Sequence, residues 1–256
     1  MPIITLTTDW NKNDYYIGAV KGAILNQYAN AIIIDISHQI KPFNIFQAAF
    51  ILKNCYTNYP AGTIHIIGVK SDYSAENQYM VVQADNQYFI STDNGIFSLL
   101  FDDLPVSKYI IDNHQSTTFP ELHVFVRVAC EIMNGAAIES FGKPSDRFVR
   151  RVPLYATIEE SVIIGSIVHI DSYQNAITNI TSELFEQVGK GRAFKIFVQS
   201  NGNVISKINK SYQETSPGEL LAIFNSINLL EIAINEGNVA ELLGLNTNST
   251  VRIKFK

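Results

Sequence analysis

Short apolar runs alternate with helix-spaced stretches through the first two thirds of the chain. The runs Ile3–Leu6, Ala31–Ile36 and Thr63–Val69 have the length of strands, and the second is apolar throughout, as in a strand buried on both faces. Between them, Tyr15–Tyr28 and Asn44–Tyr56 carry apolar residues at helical spacing. This β-α-β-α-β order, with right-handed crossovers, predicts a layered α/β domain.

From Ser161 onward the pattern changes to short strands separated by turns. The strand-like runs are Val162–Ile170, Phe194–Val198, Val204–Lys207, Glu219–Phe224, Leu229–Ile234 and Val251–Phe255. Asn201-Gly202 is a strong signal for a hairpin turn. So many short strands indicate a small barrel or sandwich. We therefore expect two domains, over residues 1–150 and 158–256, joined by a linker within residues 141–152.

Composition excludes several classes of function. The hydrophobic fraction is 46% and the charged fraction 17%, which is typical of a globular chain. The net charge of −5 argues against a nucleic-acid partner, because phosphate binding favours a basic surface. No run approaches the roughly 18 apolar residues of a membrane helix, and the N-terminus has the pattern of a buried strand, not of a signal peptide. We expect a cytoplasmic protein that does not enter a membrane.

The cysteines and histidines indicate neither a metal site nor a disulfide framework. Cys55 and Cys130 each lie in an apolar helical pattern, so we expect two buried thiols in a reducing compartment. The five histidines are isolated, and no Cys-x-x-Cys or His-x-x-x-His spacing occurs. We predict no metal and no other cofactor.

Asp9 lies where the first predicted strand ends. Ligands of open α/β sheets bind outside the carboxyl ends of the strands, and a carboxylate there can accept hydrogen bonds from both hydroxyls of a ribose. The alternative is that Asp9 caps the following turn or helix. Asp14 is the better candidate for the cap of the Tyr15–Tyr28 helix. Position alone leaves both roles of Asp9 open.

Further candidates follow the next strands. His38 lies at the carboxyl edge of the second strand, where either a ligand contact or a supporting hydrogen bond fits. Phe43 lies in the next loop, where its ring could cover a flat base or pack against the helix that follows. Asp93 and Asn94 favour the entry to a helix.

Polar side chains are dense between Ile170 and Ile180. Asp171 suits an ammonium group and Tyr173 offers a flat surface, but an Asx-rich hairpin turn explains the same pattern. Nearer the C-terminus, the polar pair Asn225-Ser226 follows another predicted strand.

Taken together, these segments resemble the S-adenosylmethionine (SAM) hydroxide adenosyltransferase family. Its members are adenosine-forming SAM hydrolases related to the fluorinating and chlorinating enzymes. The resemblance runs nearly end to end and depends on the number and order of the motifs. The matching segments are Thr7–Asp9, Asp14–Gly22, Ile34–Pro42, Pro60–His65, Thr92–Gly95, Asp171–Asn179, Asn225-Ser226 and Gly237–Ala240.

The resemblance implies an N-terminal α/β domain, a C-terminal β-barrel and a homotrimer. It also implies a SAM or adenosine-type ligand between the N-terminal domain of one subunit and the C-terminal domain of its neighbour. It assigns ribose, base and methionine contacts to six residues: Asp9 at the ribose hydroxyls, Phe43 beside sugar and base, Asp171 at the ammonium, Tyr173 against adenine, Asn175 at the adenine edge and Ser226 at the methionine carboxylate.

The chain departs from the family at its catalytic positions. Lys70–Ser74 aligns with an Asp-Pro-Gly-Val-Gly loop, and Thr118–Glu121 aligns with a Thr-Phe-His-Gly segment. The family's catalytic Asp, Arg and His are therefore replaced here by Lys70, Asn77 and Pro120. Nearby carboxylates and an imidazole are available as substitutes, namely Asp72, Glu121 and His123.

Two functions from different classes follow from this. The first is a metal-independent SAM hydrolase with altered catalysis, since a lysine is a poor proton acceptor and a proline has no side-chain donor. The second is a non-catalytic protein that binds or senses SAM, adenosine or a related nucleoside. A structural trimer that has lost the ligand is a weaker third.

Overall fold

The computed structural model describes residues 3–101, 106–112, 117–200 and 202–256. The chain divides into two compact units, residues 1–153 and 154–256. The first is a layered α/β domain, and the second is a barrel-like β domain whose strand pairings are antiparallel, with two short α-helices among its described residues. This confirms the predicted fold class.

The first unit is built on a seven-stranded sheet in the described part of the chain, in the order β2-β1-β3-β5-β4-β6-β7. Strands β2, β1, β3 and β5 run parallel, and the remaining pairings are antiparallel. Its elements are β1 (Ile3–Thr8), α1 (Tyr16–Gln27), β2 (Ile32–Ser37), α2 (Ile45–Lys53), β3 (Ile64–Gly68), β4 (Tyr79–Ala84), β5 (Gln87–Thr92), α3 (Ile96–Leu100), β6 (Ser107–Ile111), α4 (Val126–Met133) and β7 (Gly142–Pro144).

Successive side chains of the central strands bury opposite faces of this sheet. Ile4 and Leu6 of β1 pack with α1 and α4 in one apolar cluster. Ile67 and Val69 pack on the other face with α2 and α3. Because β2, β1, β3 and β5 run parallel, the polar residues that follow these strands lie at one edge of the sheet.

Two local predictions in this unit were wrong. The apolar spacing of Val124, Val128, Cys130, Ile132 and Met133 predicts a helix over Glu121–Glu139. In the structure this segment begins with a π-helical turn, Glu121–Phe125, and α4 ends at Met133. Gly135 then takes a φ of 91°, which a glycine adopts without steric cost. The start of α1 is not capped by Asp14: Tyr15 occupies the cap position, and its side chain accepts no hydrogen bond from the first turn.

The second unit is an antiparallel sheet in the order β12-β11-β15-β9-β10-β14-β13, with β8 paired to β9. A bridge between Asn209 and Ile223 brings the segment after β12 back to β13, so the sheet nearly closes. Asn201 of the predicted hairpin turn lies outside the described residues. The elements are β8 (Thr157–Glu159), β9 (Val162–Ile170), β10 (Ala176–Thr181), α5 (Ser182–Gly189), β11 (Phe194–Val198), β12 (Val204–Ile205), β13 (Leu220–Phe224), β14 (Leu229–Ile234), α6 (Val239–Leu242) and β15 (Thr250–Phe255).

Two general features complete the description. Cys55 is partly buried, Cys130 is buried, and both are free thiols. In the ranges described, no helix has the length and apolar character needed to cross a bilayer.

Candidate functional site

Asp9 joins two loops at the carboxyl edge of the parallel strands. It directly follows β1, and its Oδ2 accepts a hydrogen bond of 2.8 Å from the backbone N–H of Phe43. Partial burial raises the pKa of Asp9, and the Phe43 N–H opposes that rise. The carboxylate therefore fixes the loop before α2 and is held at the position where open α/β sheets bind ligands.

Phe43 takes a left-handed backbone conformation in that loop, with a φ of 64°. Its side chain is 67% exposed, whereas a residue that staples the following helix would bury its ring. The cap of α2 is instead Asn44, whose Oδ1 accepts a hydrogen bond from the N–H of Gln47 at 3.0 Å. Phe43 thus presents an open aromatic face beside Asp9.

His38 is held inside the protein by two partners. It is 3% exposed, its Nδ1 lies 2.7 Å from the Thr8 hydroxyl, and its Nε2 lies 3.1 Å from an Asp35 oxygen. Asp35 also accepts a 2.6 Å hydrogen bond from the ammonium of Lys21. Of the two roles considered for His38, this geometry fits the supporting hydrogen bond.

A cleft of about 430 Å³ opens beside the carboxyl end of β2. This volume is within the range of small-molecule sites. Its lining is mostly polar and includes Lys12, Ile17, Asp35, Ser37, His38 and Gln39.

Glu121 is the most deeply buried carboxyl at this edge, with 4% of the residue exposed. Burial raises its pKa to about 7, the Ser71 hydroxyl lowers it, and the charges of Asp9 and Asp72 raise it further. The Ser71 hydroxyl thus lies beside the carboxyl group and favours its charged form.

Gly68, the last residue of β3, provides the space that Glu121 occupies. A Cβ at position 68 would lie 2.9 Å from both the Cγ and the Oε1 of Glu121, and 3.1 Å from the Trp10 ring. Trp10 in turn packs edge-on against Phe119, with centroids 5.4 Å apart. Glu121 therefore lies in a confined space against the end of β3, and its burial there raises its pKa.

The loop after β3 has a fixed shape. Asn94 donates hydrogen bonds from Nδ2 to the carbonyls of Val69, at 2.9 Å, and Lys70, at 2.8 Å. The Thr92 hydroxyl donates to the Ser71 carbonyl at 2.7 Å. Asn94 Oδ1 also accepts from the N–H of Ile96 at the start of α3, in agreement with the predicted helix entry. These bonds hold Lys70 in its left-handed conformation, at a φ of 51°.

The three residues that the sequence resemblance aligns with catalytic positions have different surroundings. Lys70 is exposed, Pro120 is buried, and Asn77 closes a turn in which its N–H donates to Ser74 Oγ at 3.0 Å. Of the three possible substitutes, two are exposed: Asp72 lies in the loop after β3, and His123 Nδ1 lies 2.6 Å from the Thr117 hydroxyl. Only Glu121 among the nearby titratable candidates is enclosed.

In the second unit, Asp171 organises the turn between β9 and β10. Its Oδ1 accepts hydrogen bonds from the N–H groups of Tyr173, at 2.9 Å, and Asn175, at 2.8 Å. The Asx turn considered for this segment is therefore present. Tyr173 is 79% exposed, so its ring is available, whereas Asn175 is 7% exposed.

The turn between β13 and β14 is shaped by a buried carboxylate. Glu231 is 3% exposed and accepts hydrogen bonds from the Tyr212 hydroxyl, at 2.6 Å, and Asn225 Nδ2, at 3.1 Å. Asn225 Oδ1 accepts from the N–H of Ile227 at 3.2 Å. These contacts set the backbone around Ser226, which is exposed.

Sequence reasoning overlooked Trp10, Gly68 and Tyr212. Trp10 is the one tryptophan of the chain and directly follows Asp9, so its position was a usable signal. No comparable signal marks Gly68 or Tyr212, because their importance comes from a close approach and a buried hydrogen bond between distant parts of the chain.

Comparison with known families covers both units. The N-terminal domain of SAM hydroxide adenosyltransferase matches residues 4–142, and its C-terminal domain matches residues 165–252. The (R)-S-adenosyl-L-methionine hydrolase of Methanocaldococcus jannaschii is 32% identical over 100% of this chain and 97% of its own length. The fluorinase of Nocardia brasiliensis is 20% identical over 99% of this chain and 97% of its own length.

Solved structures show the same fold. An uncharacterized conserved protein from Thermotoga maritima superposes with a TM-score of 0.87 at 25% identity, covering 99% of this chain and 100% of that one. A conserved hypothetical protein from Thermus thermophilus superposes with a TM-score of 0.77 at 23% identity, with the same coverage of both chains. With both domain families matched in order and a relative above 30% identity along its whole length, the chain belongs to the SAM hydroxide adenosyltransferase family.

Proposed function

We propose that this chain binds SAM or a related adenosine-type ligand and hydrolyses it by an altered route. The observation that carries the proposal is Asp9, a half-buried carboxylate fixed at the carboxyl edge of the sheet beside the exposed ring of Phe43. A carboxylate accepts paired ribose hydroxyls well, and an exposed aromatic face suits a sugar or base. The 32% identity to a named SAM hydrolase supports the same ligand class.

The remaining ligand contacts belong to the second unit. Asp171 is proposed to hold the methionine ammonium and Ser226 the methionine carboxylate, with Tyr173 and Asn175 at the adenine. The exposure of Tyr173 and Ser226 is compatible with these roles. Oδ1 of Asp171 already accepts hydrogen bonds from two backbone N–H groups. Oδ2 accepts one long hydrogen bond, of 3.4 Å, from Asn175 Nδ2. Oδ2 is therefore the oxygen with more capacity to accept from an ammonium group.

The assembly is part of the same proposal. We place Asp9 and Phe43 of one subunit with Asp171, Tyr173, Asn175 and Ser226 of a neighbour in a cytoplasmic homotrimer. Light scattering on the purified protein should give three times the mass of the chain, 28.6 kDa. A stable monomer at micromolar concentration would remove the shared site.

Hydrolysis would proceed by attack of water on the 5′ carbon of the ribose. A bond forms between that carbon and the water oxygen, the bond to sulfur breaks, and its electron pair returns to the sulfonium, which leaves as methionine. The water proton passes to an acceptor, and adenosine is released. No metal takes part, so the protein must position the water and accept the proton.

The second candidate is a non-catalytic binding or sensing protein. It is favoured by Lys70, Asn77 and Pro120, which stand where the family has its Asp, Arg and His. Lys70 would also suit a ligand with more negative charge than the cationic sulfonium.

Calorimetry combined with product analysis separates these candidates. Titration with SAM and with adenosine measures binding, and chromatography of the same mixtures measures adenosine formation. Binding together with slow adenosine release supports the hydrolase, and binding without release supports the sensor. A chain that binds neither compound would contradict both.

A further inference from the structure

A buried carboxyl group at the ligand edge of the sheet has no role among the contacts assigned above. Glu121 is 4% exposed and lies against the end of β3, the strand that leads into the Lys70 loop. A carboxyl group in this position is costly, because burial disfavours its charged form. The fold nevertheless makes a specific space for it.

That space is built from two features distant in sequence. Gly68 has no side chain, and any Cβ there would overlap the Glu121 carboxyl group at 2.9 Å. The Glu121–Phe125 turn is π-helical, a departure from regular α-helix that often marks functional sites. Pro120 precedes it with a helical φ of −61°, so the proline fixes the start of the turn.

The surroundings of Glu121 raise the pKa of its carboxyl group. Burial is the largest cause of the raised pKa; the negative charges of Asp9, from the end of β1, and Asp72, from the loop after β3, raise it further, and the Ser71 hydroxyl opposes the rise. Tyr79 on β4 also faces it, and desolvation, with the Glu121 charge next, raises the pKa of that phenol to about 12. Tyr79 is thus neutral under ordinary conditions. Glu121 therefore exchanges its proton near pH 7, which is the range most useful for general acid–base catalysis.

We infer that Glu121 accepts the proton of the attacking water in this chain, taking over the proton transfer for which the family's catalytic positions no longer provide a group. This inference rests on the proposed function. In the step, ionised Glu121 takes one proton from water as the oxygen bonds to the 5′ carbon, and the carbon–sulfur pair leaves with methionine. The protonated carboxyl then releases its proton to solvent, so the cycle balances.

The test compares two isosteric changes, Glu121→Gln and Glu139→Gln. Glu139 is an exposed carboxylate of the same unit and serves as the control. Glu121→Gln should lower the rate of adenosine release by about 10²–10⁴-fold, while its Kd for SAM changes by less than about threefold. Glu139→Gln should match the wild type in both measurements.

A pH profile adds a readout that a structural role would not change. In the wild type the rate should fall as pH drops below about 7, because protonated Glu121 cannot accept a proton. The rate of Glu121→Gln should not fall in this way at low pH. Glu121→Asp should show the same fall, with a lower rate of adenosine release throughout.

Three outcomes would overturn the inference. They are a wild-type rate in Glu121→Gln, a rate loss in that variant explained entirely by lost SAM binding, and a wild type that binds SAM with no turnover. The third leaves the binding proposal intact. Absence of any adenosyl binding by the wild type would instead overturn the proposed function.

Discussion

Glu121 and Gly68 are complementary: the side chain of one fills the volume that a side chain on the other would need. The closest approach of a Cβ at position 68 would be 2.9 Å to the Glu121 Cγ and Oε1. The two residues are far apart in sequence and meet because the π-helical turn packs over the end of β3. An enclosed carboxyl group therefore lies at the edge where the ligand is proposed to bind.

Gly68→Ala should disturb this pair without changing backbone conformation, since Gly68 lies within a regular strand and not in a left-handed turn. We expect a fall in thermal stability, because the new methyl group overlaps the Glu121 carboxyl group and the nearby Trp10 ring. Adenosine release should fall along with it. The matched control is Gly22→Ala, because a Cβ at this exposed helical position meets nothing within 4 Å. Gly22→Ala should be neutral or slightly stabilising, and equal effects of the two changes would contradict the packing described.

The buried Glu121 should also make stability depend on pH. Its pKa is raised from 4.5 to about 7 in the folded chain, so the folded state holds the proton more tightly than the unfolded one. The stabilisation that comes from protonated Glu121 is complete below pH 4.5 and is lost as pH rises through about 7. The free energy of unfolding changes by roughly 3 kcal/mol at most. Urea unfolding measures this change. Relative to Glu121→Gln, the wild type should have a lower free energy of unfolding at about pH 8 than at about pH 5.

His65 acts in the opposite direction and must be separated from this effect. Burial lowers its pKa to about 4, so its contribution is lost as pH falls from 6.5 through about 4. Both proteins in the comparison keep His65, and subtraction removes its share. A difference between wild type and Glu121→Gln that is flat with pH would show that Glu121 does not titrate as described.

Asp9→Asn separates the structural role of this residue from its proposed ligand role. The amide oxygen can still accept the hydrogen bond from the Phe43 N–H, so the melting temperature should change little. Loss of the charge should weaken adenosine binding by about 1–3 kcal/mol, because the ribose hydroxyls lose a charged acceptor. Calorimetry on the wild type, Asp9→Asn and the exposed control Asp14→Asn checks this. Equal affinities in all three would limit Asp9 to holding the Phe43 loop.

Much of the fold follows from patterns in the sequence. The apolar runs near the N-terminus and the short strands after Ser161 predicted the layered and barrel-like units, because burial imposes these periodicities directly. The end of the helix predicted over Glu121–Glu139 was missed: α4 ends at Met133, and Gly135 then turns the backbone away. A single glycine in an apolar helical pattern is a weak signal.

The candidate site was less accessible to such reasoning. Asp9 could be placed at the sheet edge because it directly follows a strand. Glu121 was only one of three nearby candidates, and sequence proximity did not distinguish it from Asp72 or His123. The distinction comes from burial, which depends on a π-helical turn and on Gly68, and neither has a periodic signature.

Introducing Asp, Arg and His at the three positions that the resemblance aligns with catalytic residues tests that alignment. Lys70→Asp alone should recover little activity, because groups that act as a unit are strongly non-additive. The backbone at Lys70 is left-handed, a conformation that Asp tolerates better than most residues, so folding should survive. The triple variant Lys70→Asp, Asn77→Arg and Pro120→His should recover more. The measurement is the rate of adenosine release, and full recovery by Lys70→Asp alone would contradict the shared role of the three positions.

The most direct test of the whole account is the rate of adenosine release from SAM by the unmodified protein, measured beside a relative that keeps the family's Asp, Arg and His. We expect this chain to bind SAM and to release adenosine about 10²–10⁴-fold more slowly than that relative, in a reaction that depends on Glu121. Turnover equal to the relative's, abolished by Asp72→Asn or His123→Ala and unaffected by Glu121→Gln, would contradict the account.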